Sequence, residues 1–487
     1  MSRNGVLQRY SPHLKILMNK DNEDVLWRVI LWGIFAGILV SIFFYSYNRA
    51  FDPDEIENLH TAWKIVQGQE IFVDFFQHHH PFFDYLITPI IRTFGDTVDS
   101  IFVSRYFMLM LIACILITTY LLSLRIFKNS EVGIISLILT STDITFYMKS
   151  IEIRPDVPQV LAGLLSIYFL FAYYDKKSLK NLIASSVSLA VSFLFLQKSI
   201  VLIVAIGALL IYDVFKKRVT YRHAALYATV FLISTSPYYI YVLLSGTFEQ
   251  YFVTNWLVNY YLHEGSGRPD IYPIILRENT ITLVLYLIGV IMMFRLGKER
   301  RFAALSLLLF IIPTILFQNL LRQYLVLAVI PFCVIASYAL YSVFDRRLYR
   351  LIVVIVAIYI PLIYTHNYGF FRLDKRWQRD QLAKIEYVLS ITDENDKVYD
   401  GNVIFNVFRD DIDYFWFCMG DTSCLDVYKK VTGYKYNVYD SIVAKKPKVI
   451  STYKISNIND ARIKNNYKVS ERYPDLLIRV DHVGESR

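Results

Sequence analysis

The residues best placed to do chemistry are carboxylates and cations in a chain that otherwise avoids charge. Residues 48–105 contain nine acids: Asp52, Asp54, Glu55, Glu57, Glu70, Asp74, Asp84, Asp96 and Asp99. The run Asp52-Pro53-Asp54-Glu55 reads as a helix start. Asp52 fits the N-cap, Pro53 the first helical position, and Glu55 the reciprocal member of a capping box; Gly68 fits the stop. Acids near a helix N-terminus are favoured by the helix dipole alone. Asp52 and Glu55 already satisfy the cap, however, which leaves Asp54 spare, just after the first apolar run, where a carboxylate can reach a substrate held at the membrane surface.

Further along, Asp74-Phe75-Phe76-Gln77-His78-His79-His80-Pro81 sets three imidazoles in a row. In an extended segment His78 and His80 share a side. Together with a nearby acid they could hold a divalent metal; alternatively one of them hydrogen-bonds phosphate or sugar, or the segment is a polar interfacial loop. The short stretch Lys149–Asp156 contains Arg154 and Asp156, either a self-satisfied pair or a second acid with its orienting cation. Asp143 either faces the same cavity or caps an irregular turn. Lys198 and Arg322 are each isolated cations on short loops, the second followed closely by Tyr324. They either snorkel to the interface or bind a phosphate. The loop 246–278, with Trp256, Asn259, Tyr260, Tyr261, His263, Glu264 and Arg268, has the character of an aromatic lid or acceptor surface.

These residues are separated by long apolar runs. The 487-residue chain is 55% hydrophobic, 16% aromatic and only 19% charged, with a mean hydropathy of +0.38. That excludes disorder and an ordinary soluble enzyme. Eleven runs approach the length of a bilayer-spanning helix, near 29–47, 106–124, 132–148, 157–174, 181–197, 199–215, 224–245, 279–294, 302–321, 324–344 and 351–365. Only Lys198 divides 181–197 from 199–215, so one long buried segment is the alternative there. The stretch 82–94 is expected to lie along the membrane. With the N-terminus placed inside, the inside segments carry 21 Lys and Arg, against 10 in the longer outside loops. By the positive-inside rule this orients the chain. It also explains the net charge of +9 without a nucleic-acid partner. No cleavable signal peptide is apparent.

The expected architecture is an α-helical polytopic membrane protein with about 11 transmembrane helices. It comprises a cytoplasmic segment 1–28, a membrane module 29–365 with outside loop 48–105, and an extracytoplasmic α/β domain 366–487. Within the last, a helix is predicted over about 376–390 and strands at 397–399, 448–451 and 476–480. Cys418 and Cys424 lie there, either bridged in an oxidising compartment or as two free thiols.

Taken together, the Asp52–Glu55 acids, the Asp74–Pro81 segment, Arg154-Pro155-Asp156, Lys198 and Arg322-Gln323-Tyr324 resemble the GT-C membrane glycosyltransferases. The nearest branch is that of protein O-mannosyltransferases and the lipid A aminoarabinose transferase. One departure is His80-Pro81-Phe82, where that family often carries His-Pro-Pro or Lys-Pro-Pro. The resemblance implies inverting transfer of a sugar from a polyprenyl-phosphate carrier to an acceptor hydroxyl on a lipid, glycan or protein. The reaction would occur outside a bacterial inner membrane, in a multi-pass protein. It implies Asp54 as base or acceptor-positioning acid, Glu55 as support of the helix start, and Asp156 as second acid. Lys198, Arg154 and Arg322 would meet the donor phosphate, and His78, His80 and Tyr324 the substrates. A phosphate-monoester leaving group can be stabilised by fixed cations, so no cofactor is required; a divalent metal is the alternative. The competing functions are a transporter or flippase of a lipid-linked glycan, with ionisable groups near the bilayer midplane, and a non-catalytic sensor.

Overall fold

The computed structural model describes residues 20–262, 277–297, 322–368 and 375–480, apart from gaps at 402, 420–422 and 456, together with isolated Pro273 and Leu307. Helix α1 (Lys20–Asn48) leads into α2 (Pro53–Val66) and α3 (Phe82–Phe94). The bundle continues through α4 (Val98–Phe127), α5 (Ser130–Thr142), α6 (Ile144–Lys149), α7 (Asp156–Lys176), α8 (Leu179–Phe195), α9 (Ile200–Phe215) and α10 (Tyr221–Leu244). Short helices α11 (Phe248–Phe252) and α12 (Asn259–Leu262) flank a π-helical turn, Val253–Val258. Then come α13 (Thr280–Met292), α14 (Val326–Val343) and α15 (Arg346–Tyr368). Among the described residues, six helices are long and apolar enough to cross a membrane, and three shorter apolar helices accompany them. The predicted run 302–321 lies outside the described residues.

Local chemistry explains the boundaries. The capping box forms as the sequence predicts: the Asp52 carboxylate accepts from the Asp54 N–H at 3.2 Å, and Glu55 accepts from the Asp52 N–H at 2.9 Å. Gly68 follows α2 with φ +83°, a conformation a side chain would strain. Helix α4 starts eight residues before its apolar run because Arg105 is buried and fully used. It pairs with Glu55 at 2.7 and 2.9 Å and donates to the carbonyls of Ser46, Arg49 and Ala50. The run 132–148 breaks at Asp143, which adopts an extended backbone and caps α6 by accepting from Thr145 and Phe146. Of the two readings of Asp143, the cap is the one seen. The runs 181–197 and 199–215 are two helices joined by a tight turn at Gln197–Ser199. Helix α3, with 13 residues, spans roughly 20 Å, short of a bilayer core. It buries Phe83, Ile87 and Ile91.

Residues 375–480 form α16 (Lys375–Ser390), α17 (Cys424–Thr432), α18 (Val438–Lys445), α19 (Ala461–Lys464) and a four-stranded sheet. Its strands are β1 (Val398–Tyr399), β2 (Val449–Ser451), β3 (Tyr467–Val469) and β4 (Leu476–Arg479), in the order β1-β2-β4-β3. β1 pairs parallel with β2, Val398 opposite Val449, and the other pairs are antiparallel. This region is fastened to the first loop. The Phe76 N–H donates to the Tyr414 carbonyl at 2.9 Å, and the Trp416 indole donates to the Phe76 carbonyl at 3.1 Å. His60 and Lys64 of α2 bond Asp411 at 2.8 Å each.

Candidate functional site

A cavity of about 610 Å³ opens where the ends of several elements meet. Its wall contains Asp54 and Glu57 from α2, His78 and His79 from the first loop, and Arg154 and Asp156 from the start of α7. Lys198 comes from the α8–α9 turn, and Tyr324 from the turn before α14. Asn255, Trp256, Asn259 and Tyr260 come from the α11–α12 segment, and Phe417, Cys418 and Cys424 from the C-terminal region. His263, Glu264 and Arg268 lie outside the described residues.

One side of the cavity is charged. The Asp54 carboxylate is 44% exposed and pairs with Arg154. Arg154 is buried and also meets Glu152 and Asp156, each at 3.3 Å. Asp156 in turn pairs with Lys198, whose ammonium lies 4.2 Å from the Tyr324 ring centre, a cation–π contact. Glu152 is fully buried, and Arg49 and Lys149 bond it at 2.6 and 2.7 Å. The cations are therefore held in fixed positions by buried carboxylates, while Asp54 is the carboxylate that reaches open space.

The other side is neutral. Burial, and then the neighbouring Asp54, push the Glu57 carboxyl well above the usual carboxylate range. Burial lowers His78 to about 4, with Arg154 adding to the effect, and His79 falls well below its usual value for the same first reason. Both rings are therefore uncharged near pH 7. Glu57 Oε1, His78 Nδ1 and His79 Nδ1 are buried without a hydrogen-bond partner. Such groups are costly to leave unmet and suit a hydroxylated ligand.

Asp54, Asp156, Lys198, Arg154, His78 and Tyr324 of the predicted set share this cavity. Three others sit elsewhere. Glu55 is fully buried against Arg105, so it anchors α2 to α4 and does not face the cavity. His80 is buried with both nitrogens engaged, Nδ1 with the Phe193 carbonyl and Nε2 with the Tyr251 hydroxyl, each at 2.9 Å. Arg322 makes a two-pronged pair with Glu278 at 2.7 and 3.0 Å. Glu57 and His79 were not singled out from sequence. Glu57 lies one helical turn beyond Asp54, and that spacing places both on one face. Trp256, Asn259 and Tyr260 of the loop 246–278 line the cavity, whereas Asn255 and Phe417 carry no comparable signal. Among the described residues, no group of three or more His, Cys, Asp or Glu is arranged to hold a metal ion.

The helical bundle, the cavity at one end and the covering C-terminal region share the GT-C fold of the solved ArnT structures. The similarity is specific in two respects. Residues 78–262 match the family described as dolichyl-phosphate-mannose-protein mannosyltransferase. The structure resembles ArnT from Cupriavidus metallidurans in the apo state, with a TM-score of 0.67 at 13% identity, covering 94% of this chain and 98% of that one. It also resembles the same protein bound to undecaprenyl phosphate, with a TM-score of 0.65 at 13% identity over 93% and 97% of the two chains. No curated protein matches by sequence.

Proposed function

We propose that the protein is an inverting glycosyltransferase that moves a sugar from a polyprenyl-phosphate carrier to an acceptor hydroxyl. The observation that carries this reading is one cavity with an accessible carboxylate, Asp54, beside two anchored cations, Arg154 and Lys198. Asp54 removes the proton from the acceptor hydroxyl as its oxygen attacks the anomeric carbon from the face opposite the phosphate. General-base assistance of this kind contributes about 10²–10⁴-fold. Charge develops on the departing phosphate, where Arg154 and Lys198 stabilise it. Asp156 is a positioning residue that holds both cations. Arg154 pairs with Asp54 as well. A bound phosphate competes for that guanidinium and releases the carboxylate to act as base. No covalent enzyme intermediate and no metal is needed for this sequence.

The carrier's lipid tail lies along the apolar helices, and the similarity to ArnT, solved with undecaprenyl phosphate, supports such a donor. The loop charges support a multi-pass protein with the N-terminus cytoplasmic and the cavity and residues 366–487 extracytoplasmic; the proposed setting is a bacterial inner membrane. The opposite end of the bundle is also charge-paired, with Asp24 bonding Arg346 at 2.7 Å and Arg350 at 3.1 Å. The test is incubation of purified protein with polyprenyl-phosphate sugars and a membrane extract, followed by mass spectrometry. A product heavier by one sugar, formed by wild type and not by Asp54→Asn, supports the reading. Unmodified glycolipid moved across vesicles without transfer overturns it in favour of a transporter.

A further inference from the structure

Two thiols line the wall of the cavity opposite the charged side. Cys418 and Cys424 have their sulfurs 2.9 Å apart, and no disulfide joins them. Their environments differ. Cys418 is half-buried and Cys424 is buried, at 1% exposure. Cys418 adopts a left-handed backbone, φ +57°, which carries its sulfur beneath the first turn of α17. There the Cys424 N–H donates to it at 3.3 Å. A helix N-terminus favours thiolate over thiol. Contact with Cys418, and then burial, push the Cys424 thiol well up.

We propose that Cys418 and Cys424 form a dithiol site that exchanges with a small-molecule disulfide, with Cys418 as nucleophile and Cys424 as resolving thiol. The Cys418 thiolate attacks one sulfur of the disulfide RSSR. A mixed disulfide forms and RS⁻ leaves, taking up the proton lost by Cys418. Cys424 then attacks the Cys418 sulfur, closing the internal disulfide and releasing the second RSH. Two protein thiols are oxidised and one disulfide is reduced to two thiols. Ring closure to a sulfur–sulfur bond of about 2.0 Å needs a movement of less than about 1 Å from the observed contact. The cavity wall admits a small disulfide, whereas a folded protein partner would have to enter a space of about 610 Å³.

The site is coupled to the cavity's neutral side through Phe417, whose ring packs 5.4 Å from His78 and 5.4 Å from Phe76. Oxidation ties this segment to α17 and fixes Phe417 against His78. Resting on the glycosyltransferase reading, this second consequence is a several-fold lower KM for the acceptor in the oxidised protein, with kcat little changed.

The experiment uses full-length protein carrying Cys114→Ser and Cys333→Ser, treated with oxidised glutathione and analysed by mass spectrometry of non-reduced peptides. The expected result is an internal Cys418–Cys424 disulfide, reversed by dithiothreitol. In addition, Cys424→Ala accumulates one glutathione on Cys418, whereas Cys418→Ala leaves Cys424 unmodified. No internal disulfide in the protein retaining both thiols, or an adduct on Cys424 and none on Cys418, would overturn the proposal. These mass readouts do not depend on sugar transfer, so loss of the transferase reading would leave them interpretable. Equal acceptor KM in reduced and oxidised protein would refute the coupling.

Discussion

The two halves of α2 use the same kinds of residue for opposite ends. At its start, Asp54 and Glu57 face a cavity, and Glu57 Oε1 has no hydrogen-bond partner, with His78 Nδ1 3.8 Å away. Further along, His60 and Lys64 are buried and fully engaged with the C-terminal region: His60 with the Val407 carbonyl and Asp411, and Lys64 with Asp410 and Asp411. Acid, base and cation are present in both places. What separates them is satisfaction of hydrogen-bonding capacity. A buried network with every partner met holds elements together, whereas one with accessible or unmet atoms is ready for a ligand.

The largest effect should come from the open end. Asp54→Asn keeps the size and the N-terminal geometry of α2 but removes the base, so kcat should fall about 10³-fold with unchanged thermal stability. Full transfer by this variant would remove Asp54 from the mechanism. At the closed end the pattern should invert. Lys64→Met leaves the buried Asp411 beside an apolar side chain, while the half-buried Asp410 keeps Lys397, and removing one member of a buried pair costs about 3–5 kcal/mol. The melting temperature should drop, while the KM values of the protein that stays folded should hold. A stable Lys64→Met enzyme with altered KM values would mean that both ends of α2 serve the substrate.

The pH dependence of stability sharpens the contrast. His78 and His80 are lowered to about 4 by burial, so the folded protein binds fewer protons than the unfolded chain between that value and about 6.5. Their contribution is complete above about pH 6.5 and is lost as pH falls towards 4, on the order of 3 kcal/mol for each ring. Asp411 adds a loss in the same direction at lower pH. Burial alone would raise it, but Lys64 and His60 hold it below the usual carboxylate range. Thermal melts from pH 7 to pH 4 should show the decline, and His78→Asn should remove part of it. A flat profile would show that these rings are not buried neutral.

Smaller still is the loss expected at the phosphate. Lys198→Ala leaves Arg154 in place, so the donor KM should rise about tenfold, equivalent to one charge-assisted hydrogen bond of roughly 1.5 kcal/mol, with the acceptor KM little changed. An unchanged donor KM would remove Lys198 from the phosphate site.

How much of this could be read in the sequence depends on how local the determinant is. The capping box at Asp52–Glu55, the stop at Gly68 and the helix at 375–390 rest on residues within one or two turns of each other, and they form where the pattern places them. The gathering of Arg154, Lys198 and Tyr324 follows from their all lying between apolar runs at the same end. Partner choice was not legible. His80 and Arg322 looked as available as His78 and Lys198, yet Tyr251 lies 171 residues from His80 and Glu278 lies 44 from Arg322. Nor could spacing reveal that residues 414–417, or Tyr428 of α17, would pack on Phe76 of the first loop, because such contacts join residues more than 300 positions apart.

The smallest effect should be at Glu57, and it tests the division of the cavity most directly. Its carboxyl is pushed above the usual range by burial and by Asp54, so near neutral pH it carries a proton. Glutamine has nearly the same shape and no charge, and it replaces the carboxyl hydroxyl with an amide that donates in its place. Glu57→Gln should therefore change kcat/KM by no more than about fivefold, or roughly 1 kcal/mol, in a protein where Asp54→Asn costs about 10³-fold in kcat. The two acids are one turn apart on the same helix, so a difference of this size between two isosteric changes would arise from charge state alone. If Glu57→Gln instead matched Asp54→Asn, Glu57 would be ionised in the working enzyme, and the neutral side of the cavity would have to be redrawn as part of the charged one.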